Sequence, residues 1–166
     1  MSTLAVLAFD NEQGADQTRE ALGQLQRQNL ITLDDAAVVV RSQDGKVKVR
    51  QATSLVGTGA LGGAFWGMLI GLLFLAPWLG VTVGALSGVL MGKMADLGID
   101  DNFIKGVGQK IEPGHSALFL LVREATVDRV VAELRQYNPR LVQTNLSQED
   151  EAKLRAAMGA EQETVA

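Results

Sequence analysis

Between Arg50 and Lys93 the chain carries no charged side chain, and inside that interval glycine recurs at every fourth position in two series. The first is Gly59, Gly63, Gly67 and Gly71, the second Gly80, Gly84, Gly88 and Gly92. No other feature constrains the fold as tightly. Residues four apart lie on one inclined row of an α-helix, so each series makes a groove from which no side chain protrudes. Each glycine inside a helix costs about 1 kcal/mol relative to alanine. Four in a row persist only where something offsets that cost, and the usual offset is a second backbone packed very close, as in small-xxx-small helix contacts. Pro77-Trp78 separates the two series, and proline is well suited to the first position of a helix. The spacing predicts an antiparallel helical hairpin, a glycine zipper, with arms from about Leu55 to Ala76 and from about Pro77 to Met94. The eight glycines are its expected helix-packing and oligomer interface.

Two environments suit such a hairpin. A bilayer needs about 20 apolar residues per spanning helix; the first arm meets that length and the second reaches its lower end. Trp78 at the tip suits the far membrane interface, whereas Trp66 falls mid-arm and Thr58, Thr82 and Ser87 dilute the apolarity. The other environment is the interior of a soluble homo-oligomer, because a helix that is apolar all round can be core as well as membrane span. A free monomer exposing this surface to water is excluded. The expectation is a membrane-associated homo-oligomer, and the alternative is a soluble ring or shell with the hairpins buried inside it.

The flanking sequence reads as α+β. Leu4–Phe9 is a short apolar run of the kind a buried strand shows. Gly14–Asn29 follows as a helix with Ala15, Thr18, Leu22 and Leu25 on one face, and Ala36–Arg41 is a valine-rich strand. Asp44-Gly45 predicts a two-residue hairpin turn into Lys46–Arg50, which alternates basic and apolar. Beyond the insertion, Phe103, Ile104, Val107 and Ile111 form the stripe of a short helix ended by Pro113-Gly114. His115–Val122 is the strongest strand. Thr126 is placed to cap Val127–Tyr137, where Val127, Val130, Val131 and Leu134 share a face. Leu141–Leu146 is a last strand, and Ser147–Met158 a charged terminal helix opened by a near capping box.

With the insertion removed, two strand–helix–strand units remain. That pattern predicts a ferredoxin-like α+β sandwich over residues 1–50 and 96–146, interrupted by the hairpin at 51–95 and followed by the helix and tail at 147–166. Two helices on one face of the sheet would leave the other face bare for self-association. Both ends of the insertion leave from one side. Lys46, Lys48 and Arg50 before it, with Lys93, Lys105 and Lys110 after it, set that side, and both termini, in the cytoplasm by the positive-inside rule. The expected location is the inner membrane, or the cytoplasm under the soluble alternative. The same Lys46, Lys48 and Arg50 ridge is a candidate contact for anionic lipid headgroups or a charged edge that blocks strand pairing.

Gly98-Ile99-Asp100-Asp101-Asn102-Phe103-Ile104, followed by Pro113-Gly114-His115-Ser116-Ala117-Leu118-Phe119, resembles the signature of a bacterial family grouped as domain of unknown function 1269. The glycine-repeat hairpin and the opening strand and helix are similar as well. The resemblance implies a membrane-associated protein of unassigned role, with no catalytic residues to carry over.

Signs of chemistry are few. The 166 residues have room for one domain plus a hairpin. A net charge of −4 argues against a nucleic-acid partner, and the lack of cysteine removes disulfides and thiol catalysis. The first residues, MSTLAVLAFDNEQG, lack the basic start and cleavage site of a signal peptide. His115, the only histidine, reads as a turn residue, because a metal site needs several converging ligands. Asp34-Asp35 and Asp100-Asp101 read as caps ahead of secondary-structure elements. Gly57-Thr-Gly59-Ala-Leu-Gly62 fits G-x-G-x-x-G but lacks the buried strand before it and the acidic residue ~20 positions later. The expectation is a protein that is not an enzyme, with no cofactor, no metal and no evident small-molecule substrate.

Overall fold

The computed structural model describes residues 3–51, 69, 73, 106–108, 110–144, 149, 152, 154 and 156. Five strands, β1 (Thr3–Phe9), β2 (Ile31–Arg41), β3 (Val47–Gln51), β4 (His115–Ala125) and β5 (Arg140–Thr144), form one antiparallel sheet in the order β3-β2-β4-β1-β5. Helices α1 (Gly14–Arg27) and α2 (Val127–Leu134) connect β1 to β2 and β4 to β5, α2 running into a 3-10 turn at Arg135–Tyr137. The architecture is α+β. The strand order is compatible with a ferredoxin-like unit of β1, β2, β4 and β5 to which β3 adds an edge.

Helix α1 buries the face its spacing predicts: Ala15, Thr18, Leu22 and Leu25. Its first turn is held by Asn11, whose Oδ1 accepts the Gly14 and Gln13 amides at 2.6 and 3.1 Å. Gly14 is sterically required there, since a Cβ would fall 2.6 Å from the Phe9 side chain. The helix ends with Asn29 in the left-handed region (φ 60), and the Leu30 amide donates to the Leu25 carbonyl at 3.0 Å. Together these make a Schellman cap built on asparagine instead of glycine.

Three local expectations need correction. The β2–β3 connection is a three-residue loop, Gln43–Gly45, between a Ser42–Lys46 pair (Ser42 amide to Lys46 carbonyl, 2.8 Å). Gly45 stands at φ 88, the left-handed position that follows a turn in three-residue hairpins. Strand β2 begins at Ile31, five residues before the expected Ala36, so Asp34 and Asp35 lie within a strand beside a register shift. Thr126 occupies the N-cap of α2 without a side-chain cap; its carbonyl accepts the Arg129 and Val130 amides.

Both faces of the sheet are buried. On one, Leu7, Phe9, Val38, Leu118 and Leu120 pack with Leu22 and Leu25 of α1 and Val130 and Leu134 of α2. On the other, Leu4, Val6, Ala37, Val39, Phe119 and Leu121 pack with Leu69, Val107 and Ile111, while Leu73 is partly buried against them. The expectation of a bare second face is therefore overturned. Residues from the glycine-repeat stretch and from the short helix after it cover it.

Candidate functional site

The covered second face is where the insertion meets the domain. Register places Ala8, Ala117 and Val39 side by side in one row and Val6, Phe119 and Ala37 in the next. All six are buried in the same cluster. Against them lie Leu69, fully buried and helical, and Leu73, helical and half-buried. The helical segment at 106–108 and 110 lies beside them, with Val107 fully buried. Fully burying each of Leu69, Val107 and Ile111 contributes roughly 1.5–3 kcal/mol.

The approach of the two helical segments is close. A Cβ built on Gly108 would sit 2.7 Å from the Leu73 carbonyl oxygen, whereas at Gly106 it would meet nothing within 4 Å. Glycine thus brings two backbones nearly into touch, which is the chemistry expected of the hairpin rows. The glycine that does so lies beyond the hairpin, however. The eight zipper glycines themselves, Gly59, Gly63, Gly67, Gly71, Gly80, Gly84, Gly88 and Gly92, lie outside the described residues.

The covering segment is tied down at its end. Arg41 Nη1 donates to the Ile111 carbonyl at 2.8 Å, and the Gly114 amide donates to the Arg41 carbonyl at 2.7 Å, with Gly114 at φ 83. Arg41 and His115 face each other in the β2–β4 register. The His115 Nε2 stands 3.8 Å from Glu112, and its amide donates to the Glu112 carbonyl at 3.0 Å. His115 therefore belongs to the junction that closes the covering segment onto β4. Ser116, the next residue, is fully buried and joins β4 to the start of α1: its hydroxyl donates to the Asn11 carbonyl (2.7 Å) and accepts the Ala15 amide (3.1 Å).

Asp35, expected as a cap ahead of a strand, lies inside β2 instead. It shares the sheet face of Ala37 and Val39, stands in register with Leu121, and is fully buried. Its Oδ1 accepts the Ala36 amide at 2.9 Å. Asp34, half-buried, pairs with Arg123. Asp100 and Asp101 lie outside the described residues. Among the described residues no group of three or more His, Asp and Glu is placed to hold a metal ion.

Lys46 is exposed, with its Nζ 3.9 Å from Asp44. Lys48 lies opposite Val40 in the register and lines a surface groove with Glu12, Asp16 and Glu20 of the α1 region. It therefore stands on the helix side of the sheet, across from the face that Leu69 covers. Arg50 is paired in register with Val38.

The helix side also holds an apolar cavity of about 220 Å³ between the sheet and the two helices, walled by residues such as Ala5, Leu7, Leu22, Leu120, Leu134 and Leu141.

The fold and the covered face define an α+β domain that packs part of an uncharged, glycine-rich insertion against its own sheet. The chain belongs to the family described as Protein of unknown function (DUF1269), whose pattern matches residues 60–159. The match takes in seven of the eight repeat glycines, all but Gly59, and both signature segments, and strands β1, β2 and β3 precede it. No curated protein and no solved structure matches the chain. Among the described residues no helix is long and apolar enough to cross a membrane.

Proposed function

We propose that this protein is a non-catalytic, self-assembling structural protein that keeps its glycine-repeat segment folded onto its own sheet. Copies join through the glycine grooves. The observation that carries this reading is the burial of Leu69 and Leu73 in the sheet's second core. A hairpin projecting from the domain into a bilayer would set Leu69 about 21 Å along the first arm from Leu55, at ~1.5 Å per residue, and far from the sheet. Burial of Leu69 against Val39 and Phe119 favours an arm lying along the domain. The test is the mass of the full chain by analytical ultracentrifugation with and without a mild detergent. A discrete oligomer in detergent-free supernatant supports the proposal. A chain that pellets without detergent and is soluble only within micelles overturns it.

A membrane-associated oligomer is the second reading, and a specific observation favours it: no charge interrupts residues 51–92. In that form both termini face the cytoplasm, and Lys46, Lys48 and Arg50 lie near anionic headgroups. Flotation with vesicles of anionic phospholipid separates the two readings, since only the membrane form rises with the lipid.

A further inference from the structure

The helix-side cavity has no part in the packing of the insertion, and its shape and lining call for a separate account. Its inner wall is largely aliphatic, with Ala5 from β1, Leu120 from β4, Leu22 from α1, Leu134 from α2, Leu141 from β5 and the helical Leu154, although Thr3 also lines it. Ala5, opposite Leu120 in the β1–β4 register, is a small residue of that lining. Arg123, Glu124 and Val127, all exposed, line the other end, where β4 runs out and α2 begins. They make a mouth with a polar rim, at which the Arg123 guanidinium is held by Asp34.

Water is a poor occupant of the leucine-lined part of this space, because an ordered water needs two to four polar partners and the polar lining is confined to Thr3, Arg123 and Glu124. An apolar cavity of ~150 Å³ stays dry and admits benzene. By proportion, about 220 Å³ holds about nine carbon atoms. We propose that this cavity is a binding site for a single alkyl chain of medium length, the tail among the leucines and the polar head at the Arg123–Glu124 rim.

The experiment is a titration of the full chain with 1-octanol, and in parallel with octanoate, followed by methyl NMR. Binding predicts saturable one-to-one shifts in the methyls of Leu7, Leu120 and Val130, with the methyl of Leu69 on the other face unmoved. Tighter binding of octanoate than of octanol would assign the head to the arginine side of the rim, and equal binding would assign recognition to the tail alone. Ala5→Phe, which fills the space from the sheet, should weaken binding at least tenfold. Val130→Phe fills it from α2 and repeats the test should the first variant fail to fold. The absence of saturable shifts in the unmodified chain overturns the proposal, as does undiminished binding in a folded filled variant.

Discussion

Two glycines two residues apart in one helical segment should respond differently to the same substitution. Residues 106–108 and 110 are helical. Alanine at either glycine gains the same backbone propensity, about 1 kcal/mol. At Gly106 the new methyl meets nothing within 4 Å, so the gain is kept. Gly106→Ala should therefore raise the unfolding free energy by about 1 kcal/mol, a rise in Tm of roughly 3 °C for a chain of this length. At Gly108 the methyl would lie 2.7 Å from the Leu73 carbonyl oxygen and 3.6 Å from its carbon. The obstacle is backbone, which cannot swing aside as a side-chain tip can. Forced overpacking of this kind costs about 1–3 kcal/mol, so Gly108→Ala should come out between neutral and about 2 kcal/mol destabilising. The two variants then differ by about 1–3 kcal/mol.

Urea unfolding followed by far-ultraviolet circular dichroism measures both, with ΔG extrapolated linearly. Protein concentration must be matched throughout, because the proposed self-association would make apparent stability depend on it. Equal stabilisation by the two alanines, within about 0.5 kcal/mol, would refute the close approach of the 106–110 segment to Leu73, and with it the docking of the insertion on the sheet.

Removing the Ser116 hydroxyl in Ser116→Ala leaves the buried Ala15 amide without its partner and frees the part-buried Asn11 carbonyl; a loss of about 1–3 kcal/mol is expected in the same urea assay. Gly45→Ala forces a side chain into the left-handed region at φ 88 and should cost about 1–2 kcal/mol, whereas Asn29→Gly should be nearly neutral because glycine suits the same cap. The chain contains no cysteine, so Val39→Cys gives a single thiol on the covered face. It should resist a water-soluble maleimide at rest, and rapid labelling of the folded protein would show the face to be open. Gly63→Leu and Gly84→Leu should each reduce the oligomer mass while the sheet's circular dichroism is retained; unchanged mass in both would remove the glycine rows from the assembly.

The strands and helices of the α+β domain were legible because each carries its own punctuation. The apolar run of β1 stops at Asp10, α1 shows a clean 3.6-residue stripe, and α2 begins after a threonine. The start of β2 was hidden by Asp34 and Asp35, residues that β-sheets usually exclude. A buried carboxylate inside a strand is decided by tertiary neighbours, and local sequence does not encode them. The hairpin turn was mistaken by one residue because Asp-Gly serves both loop lengths, and the Ser42–Lys46 pair alone separates them. The covered second face was visible in principle. Leu4–Phe9 and Ala117–Val122 are continuous apolar runs without alternation, the pattern of strands buried on both sides, and a sheet with a bare face should alternate. Gly108 could not be singled out from Gly106 without the position of Leu73.

The double burial couples two events. Leucine loses little on passing from a protein core to lipid, so moving Leu69 into a bilayer carries almost no penalty of its own. The penalty falls on what Leu69 leaves behind. Val6, Val39, Phe119 and Leu121 are buried on the face that Leu69, Val107 and Ile111 cover, and baring such a patch to water at ~25 cal/mol per Å² costs several kcal/mol. The short segment ending at Ile111 is held by Arg41 and can keep its share of that cover without the arm. The remainder must be shielded by something else, either the membrane surface or the same face of a second copy. Insertion of the arm and a new cover for the sheet are therefore one transition. A monomer with its arm in the bilayer and this sheet face in water is the one state that the packing forbids.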